Sequence, residues 1–326
     1  MTTASSTATL QPDLQPGKPP ILVAEAGDDA ARWADEHRNA LRALVAEHGS
    51  LLVRGLGLRD AGQVAAVGRR LGDLMTERES FVPRRRYPGL VYSASKWPPP
   101  QPICMHHELS YALELPSLIL FACLVAPSGG GATPVADAPT VLDALPAKLV
   151  ERFERLGWLL IRNYTDDIGA SVADAFGTDD RRAVERYCRA NAIMFEWREG
   201  GALRTSQRRS AVVRHPLTGR RCWFNQIAFL NEWTLAPEVR EYLVDVYGED
   251  GLPFNTRFGN GDSIGADVVQ LINEAYEAST VRERWLAGDL LLVDNIRTAH
   301  GREPFQGPRE VVVAMADAVR LADGSP

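Results

Sequence analysis

Met105-His106-His107-Glu108-Leu109-Ser110-Tyr111 is the stretch on which the reading of this chain turns. Read as a strand, it alternates its side chains, so His106 and Glu108 share one face and His107 points to the other. An imidazole nitrogen and a carboxylate oxygen two residues apart on one strand can grip the same metal ion. A third ligand has to come from elsewhere, and His300 is the candidate, just after the apolar run Leu290-Leu291-Leu292-Val293-Asp294. The other histidines offer nothing comparable. His37 and His48 lie on one predicted helix without an acidic or histidine partner at metal spacing, and His215 stands before Pro216 in a turn-like His-Pro-Leu-Thr-Gly segment. Taken alone, a His-x-Glu triplet does not separate metal ligation from incidental strand residues.

Outward from this stretch the chain is punctuated by turn residues. Strands are predicted at Leu90 to Ser93, Met105 to Tyr111 and Leu118 to Leu124, with Pro98 to Pro100 and Gly129 to Gly131 between or after them. Further strands are predicted at Trp158 to Asn163, Ser210 to His215, Cys222 to Ile227, Asp289 to Asp294 and Glu310 to Ala316. Helices are predicted at Asp28 to His48, stopped by Gly49, and at Arg59 to Leu71, around the strand Ser50 to Gly55. Others follow at Thr140 to Leu156, Asp179 to Ala190, Pro237 to Tyr247 and Ala266 to Ser279. Periodicity alone gives mixed α and β. Many short strands with helical insertions point to an α+β, mainly β fold, with a double-stranded β-helix (jelly-roll) core and flanking helices. Residues 1–20, rich in Ser, Thr, Ala, Pro and Gln, are read as a disordered tail, and 21–326 as one catalytic domain.

Bulk properties narrow the function. Hydrophobic content of 45% and charged content of 24% are globular values, and a net charge of −6 argues against a nucleic-acid partner. The short basic runs Arg84-Arg85-Arg86 and Arg208-Arg209 read as solvated surface. Four cysteines without paired spacing argue against a zinc ribbon or a disulfide framework. The first residues have no signal-peptide pattern and no apolar run reaches membrane-spanning length, so the expected compartment is the cytoplasm, without a membrane partner.

Two histidines and one carboxylate on a common face leave three octahedral positions open, which is the ligand set of non-haem Fe(II) oxygenases. The surrounding motifs give this weight. The chain resembles the taurine dioxygenase-like (TauD/TfdA) Fe(II)/2-oxoglutarate oxygenases, and within them enzymes acting on amino acids or carrier-bound aminoacyl groups in bacterial peptide biosynthesis. The resemblance is carried in order by His106 to Tyr111, Pro127-Ser128-Gly129-Gly130-Gly131-Ala132-Thr133-Pro134, Trp223-Phe224-Asn225-Gln226 and Thr256 to Gly261. It continues through Trp285, Gly288-Asp289 and Asp294-Asn295 to His300-Gly301-Arg302 and Gly307-Pro308-Arg309.

What the resemblance implies is specific. His106, Glu108 and His300 would hold Fe(II), and Thr133 would contact 2-oxoglutarate. Arg309 would take its distal carboxylate, with Arg302 as the alternative, because a planar guanidinium suits a carboxylate. The co-substrates would be 2-oxoglutarate and O2. Glu108 fills the position that halogenating relatives vacate for chloride, which favours hydroxylation, desaturation or cyclisation. Asp294 and Asn295 are candidates for orienting the ligands. Ser110, Tyr111, Asn225, Gln226 and Arg257 are candidate substrate contacts for a small molecule, free or tethered to a carrier protein. Two other readings compete: a cupin-type Zn(II) or Mn(II) hydrolase or isomerase using the same three residues, and a non-enzymatic jelly-roll binder with no metal. Substrate identity, regiochemistry and oligomeric state are not written in these motifs.

Overall fold

A computed structural model of the chain describes residues 10–79, 81, 84–95, 97–165 and 167–321. The main sheet has seven strands in the order Ile21–Val23, Ser50–Arg54, Leu290–Asp294, Leu115–Val125, Glu310–Val319, Val91–Ser93 and Arg86–Tyr87. Its centre is antiparallel. Leu291 pairs with Phe121 on one side of Leu115–Val125, and Val313 pairs with Phe121 on the other. Ile21–Val23 runs parallel to Ser50–Arg54 at the edge.

Alternation along these strands builds two cores from one sheet. Leu51, Val53, Leu118, Leu120, Leu290, Leu292, Val312 and Ala314 face the helices Arg38–His48 and Ala61–Leu71, whose Leu41, Val45, Val64 and Leu71 they bury. The opposite parity, with Ile119, Phe121, Leu291, Val293, Val311 and Val313, belongs to the larger core on the other side. There a second sheet runs Thr280–Val281, Val135–Asp137, Thr298–Arg302, Ile103–His106. A third, ordered Met194–Trp197, Leu203–Arg209, Trp158–Tyr164, Phe254–Phe258, stands beside it. The architecture is mixed α and β with several sheets.

Several boundaries differ from the sequence reading. The helix expected over Asp28 to His48 is two helices, Ala30–Glu36 and Arg38–His48, parted at His37. The His37 backbone leaves helical geometry at φ −108° and ψ 8°, while its ring stacks on Trp33 and its Nδ1 bonds the Trp33 carbonyl. The helix expected over Thr140 to Leu156 is likewise split, into Ala138–Ala144 and Ala147–Leu156, by Pro146. Proline lacks the N–H a helix interior needs and holds the residue before it, Leu145, extended. Of the tail read over 1–20, residues 1–9 lie outside the described residues. Residues 10–20 are held against the body: Asp13 bridges Ile21, Lys18 pairs with Glu283 at 2.9 Å, and Arg282 N–H donates to the Gly17 carbonyl. The four cysteines are free thiols, and no helix among the described residues is long and apolar enough to cross a membrane.

Candidate metal and co-substrate site

In the second sheet His300 lies directly opposite His106. Residues so paired across antiparallel strands bring their side chains together, and the two imidazole centroids are 4.5 Å apart. Glu108 arrives differently. The strand ends at His106, and Leu109 takes a φ of +54°, so Glu108 sits in a turn and not on the strand expected over Met105 to Tyr111. It still reaches the histidines. One ligand-capable atom from each of His106, Glu108 and His300 lies within 4.8 Å of the other two, all three residues being buried. His300 Nε2 is 3.8 Å from Glu108 Oε2.

The surroundings prepare these groups to bind a cation. His106 donates from Nδ1 to the Cys104 carbonyl at 2.8 Å, which turns Nε2 toward the cluster. Burial, reinforced by the nearby His300, pushes the His106 imidazole down to about 3, so it stays neutral and free to ligate. Burial alone would raise the Glu108 carboxyl. The Arg84 guanidinium outweighs that and holds it well below the usual range, ionised. Two imidazole nitrogens and one carboxylate oxygen fit a divalent first-row metal such as Fe(II).

The turn carrying Glu108 is clamped from two sides. Asn295 Oδ1 accepts from the Glu108 N–H, and its Nδ2 donates to the Glu108 carbonyl and to the Pro116 carbonyl. His107, on the far side as expected, donates from Nδ1 to the Asn295 carbonyl at 2.6 Å. From the other direction Gln226 Nε2 donates to the His107 carbonyl at 2.8 Å. Asp294 accepts from the N–H groups of Ile296 and Arg297 through Oδ1, and lies 2.9 Å from His215 Nε2 through Oδ2. His215, set aside on sequence, thus braces the bend that leads to His300.

Beside the cluster Arg309 and Thr133 come together. Arg309 Nε donates to the Gly131 carbonyl at 3.0 Å, and its Nη2 is 3.5 Å from Thr133 Oγ1, which also accepts from Trp285 Nε1. Burial, aided by the charge of Arg302, pushes the Arg309 guanidinium down to about 10, a state that a bound dianion such as 2-oxoglutarate would relieve. Gly131, at φ +71°, is required here, since a Cβ would press on Phe305, Pro127 and Arg309. Arg302 also lines the cavity, but its guanidinium donates to the carbonyls of Trp97, Pro98 and Gln101 at 2.6–2.8 Å. It is employed in fastening that loop.

The candidate substrate contacts divide. Tyr111 and Gln226 line the cavity. Ser110 does not, because the strand parity that would have aimed it inward ends at His106. Asn225 turns away, donating to the Ala211 carbonyl and accepting from Ile227 N–H. Arg257 lies on the strand Phe254–Phe258 and pairs with Asp250 at 3.4 Å, outside the cavity. The basic runs are corrected too. Arg85 and Arg86 are exposed, but Arg84 turns into the cavity. Arg209 is 1% exposed, its guanidinium donating to the carbonyls of Tyr111, Asn191 and Arg208. Sequence reasoning also missed Phe81, Trp97, Phe229 and Phe254 in the wall, since isolated aromatics carry no pattern.

Comparison with known proteins agrees with this geometry. The chain is 34% identical over 299 residues to the dapdiamide synthesis protein DdaC of Enterobacter agglomerans, covering 91% of each. It is 28% identical over 290 residues to a clavaminate synthase-like protein of Arabidopsis thaliana, covering 85% of this chain and 84% of the relative. In fold it is similar to PvcB, an Fe, alpha-ketoglutarate dependent oxygenase from an isonitrile synthetic pathway. The TM-score is 0.55 at 18% identity, with 100% and 99% of the two chains covered. Residues 13–315 match the description of the taurine catabolism dioxygenase TauD, TfdA family, and the chain belongs to that family.

Proposed function

We propose that this protein is an Fe(II)- and 2-oxoglutarate-dependent hydroxylase of an amino acid or aminoacyl-type small molecule in secondary metabolism. The observation that carries the reading is the convergence of His106, Glu108 and His300 within 4.8 Å beside the Arg309–Thr133 pair. His106, Glu108 and His300 would hold the iron. Arg309 and Thr133 would hold the distal carboxylate of 2-oxoglutarate through charge-assisted and hydroxyl hydrogen bonds. The main sheet and the sheet bearing the histidines support a double-stranded β-helix core, spanning a single catalytic domain over 21–326. The DdaC relative, named for dapdiamide synthesis, supports a biosynthetic setting.

Bound there, iron with 2-oxoglutarate and O2 would supply the oxidising power to place one oxygen atom in a substrate C–H bond, the other going to succinate with release of CO2. The chain's own residues do the positioning. The Asn295 clamp fixes Glu108, the Cys104 carbonyl fixes the His106 tautomer, and Phe121, Val311 and Val313 give the cavity an apolar wall that limits water. The test is anaerobic titration of apoprotein with Fe(II) and then 2-oxoglutarate, followed through the weak visible charge-transfer band. The band should form in wild type and vanish in His300→Ala. Metal binding with no band on adding 2-oxoglutarate would redirect the assignment to a Zn(II) or Mn(II) enzyme.

A further inference from the structure

Arg84 is a charged lining residue that the co-substrate chemistry does not use. Its side chain is 15% exposed, and its Nη2 sits 3.4 Å from each carboxylate oxygen of Glu108, with Nε 3.4 Å from Glu77 Oε1. Charge-assisted N–H···O bonds close to about 2.7–2.9 Å, so both contacts are loose. The guanidinium lies near a carboxylate that a metal would also claim. A divalent ion on that carboxylate would repel Arg84 unless a further anion stood by.

The cavity's charges say how much anion is required. Among its described lining residues, the carboxylates of Glu77 and Glu108 and the guanidinium groups of Arg84, Arg302 and Arg309 sum to one net positive charge. A divalent metal raises this to three, and doubly charged 2-oxoglutarate returns it to one. One negative group is still wanted, and Arg84 is the cation placed to receive it. Apolar residues share the lining, among them Phe81, Phe229, Leu230 and Phe254, with Phe81 edge-on to both Tyr111 and Phe254.

We infer that Arg84 binds a carboxylate of the substrate, so that the molecule oxidised carries a free acid group beside an apolar body. The inference rests on the iron and 2-oxoglutarate reading above and sharpens its substrate class. A carboxyl condensed into a carrier thioester has no charge to offer Arg84, so an aminoacyl group tethered through its only carboxyl does not satisfy the site.

The experiment uses the anaerobic Fe(II)·2-oxoglutarate complex of the full chain, since substrate entry perturbs its charge-transfer band. The probes are a panel of L-amino acids and short-chain carboxylic acids, each beside its primary amide. Acids with apolar side chains should shift the band, and their amides should not. At Fe(II) and 2-oxoglutarate concentrations that saturate the band in each protein, Arg84→Met should need on the order of 10- to 100-fold more acid to shift it, the loss of one charge-assisted contact. Arg84→Lys, which keeps the charge, should recover part of this. Amides acting as well as acids, no acid acting at all, or equal half-saturation in Arg84→Met would overturn the assignment. A wild-type protein that binds Fe(II) yet shows no band would overturn the underlying reading instead.

Discussion

Asn295 holds Glu108 by both of its backbone groups, accepting from the N–H at 2.8 Å and donating to the carbonyl at 2.9 Å. These bonds do for a turn residue what a neighbouring strand does for His106. They also tie two candidate ligands of distant sequence to one segment, because Asn295 lies on the bend that feeds His300. Replacing it with alanine leaves the Glu108 amide without its buried partner, at a cost of about 1–3 kcal/mol of stability. Metal affinity should fall roughly 10- to 100-fold as Glu108 wanders. Calorimetric titration with Co(II), set beside the melting temperature, separates the two effects. Lost stability with unchanged affinity would make Asn295 a purely structural residue.

Arg309 and Arg302 should part company on mutation. Arg309→Met should raise the 2-oxoglutarate concentration needed for half-maximal turnover by about 10- to 100-fold, the loss of a charge-assisted contact. Fe(II) binding should persist. Arg302→Met releases the carbonyls of Trp97, Pro98 and Gln101, and its first effect should be on thermal stability. The opposite ranking in 2-oxoglutarate dependence would exchange their roles.

The metal-free protein should lose stability as pH falls from about 6.5. Burial pushes His106 down to about 3 and His107 down to about 4. Below the unfolded-state value, near 6.5, the unfolded chain takes up protons that the folded chain refuses. The unfolded state then binds more protons, so stability rises with pH and drains away on acidification. Each ring contributes up to roughly 1.4 kcal/mol per pH unit across that window. Urea midpoints from pH 7 to 4.5 should track this slope, and His107→Gln should make it shallower. A flat profile would show that protons enter the folded site freely.

Gly49 ends the helix Arg38–His48 at φ +82°, and a Cβ there would collide with Thr298 Oγ1, on the strand that bears His300. Gly49→Ala should cost about 1–2 kcal/mol for the left-handed backbone, plus whatever the collision adds. The denaturant midpoint should fall with little change in its slope. An unchanged midpoint would mean that the strand yields readily at Thr298.

Much of this was legible in the residues, for reasons that differ by element. The helix Pro237–Tyr247 begins at a proline and ends before Gly248, and its bounds match the sequence reading. The His106, Glu108 and His300 cluster was legible because ligand chemistry needs few residue types. Strand parity, however, was a partly mistaken route to it: a turn at Leu109 delivers Glu108, and the same turn removes Ser110 from the cavity. Leu203–Arg209 went unread as a strand because, after Leu203, its buried positions are polar. Thr205, Gln207 and Arg209 are satisfied by hydrogen bonds from afar, which no local pattern of apolar residues signals. Arg84 was lost among exposed neighbours, since a run of three arginines does not say which one turns inward.

The cavity is assembled from two kinds of chain. His106 and His300 stand on paired strands of one sheet, and Arg309 stands at the threshold of Glu310–Val319 in another. Glu77, Phe81, Arg84, Trp97, Gln226 and Phe229 all stand on connecting segments. A change in the second group costs no ladder hydrogen bond of the strands that carry the two histidines. The reaction can therefore be inherited while the molecule it acts on is renegotiated, one loop residue at a time.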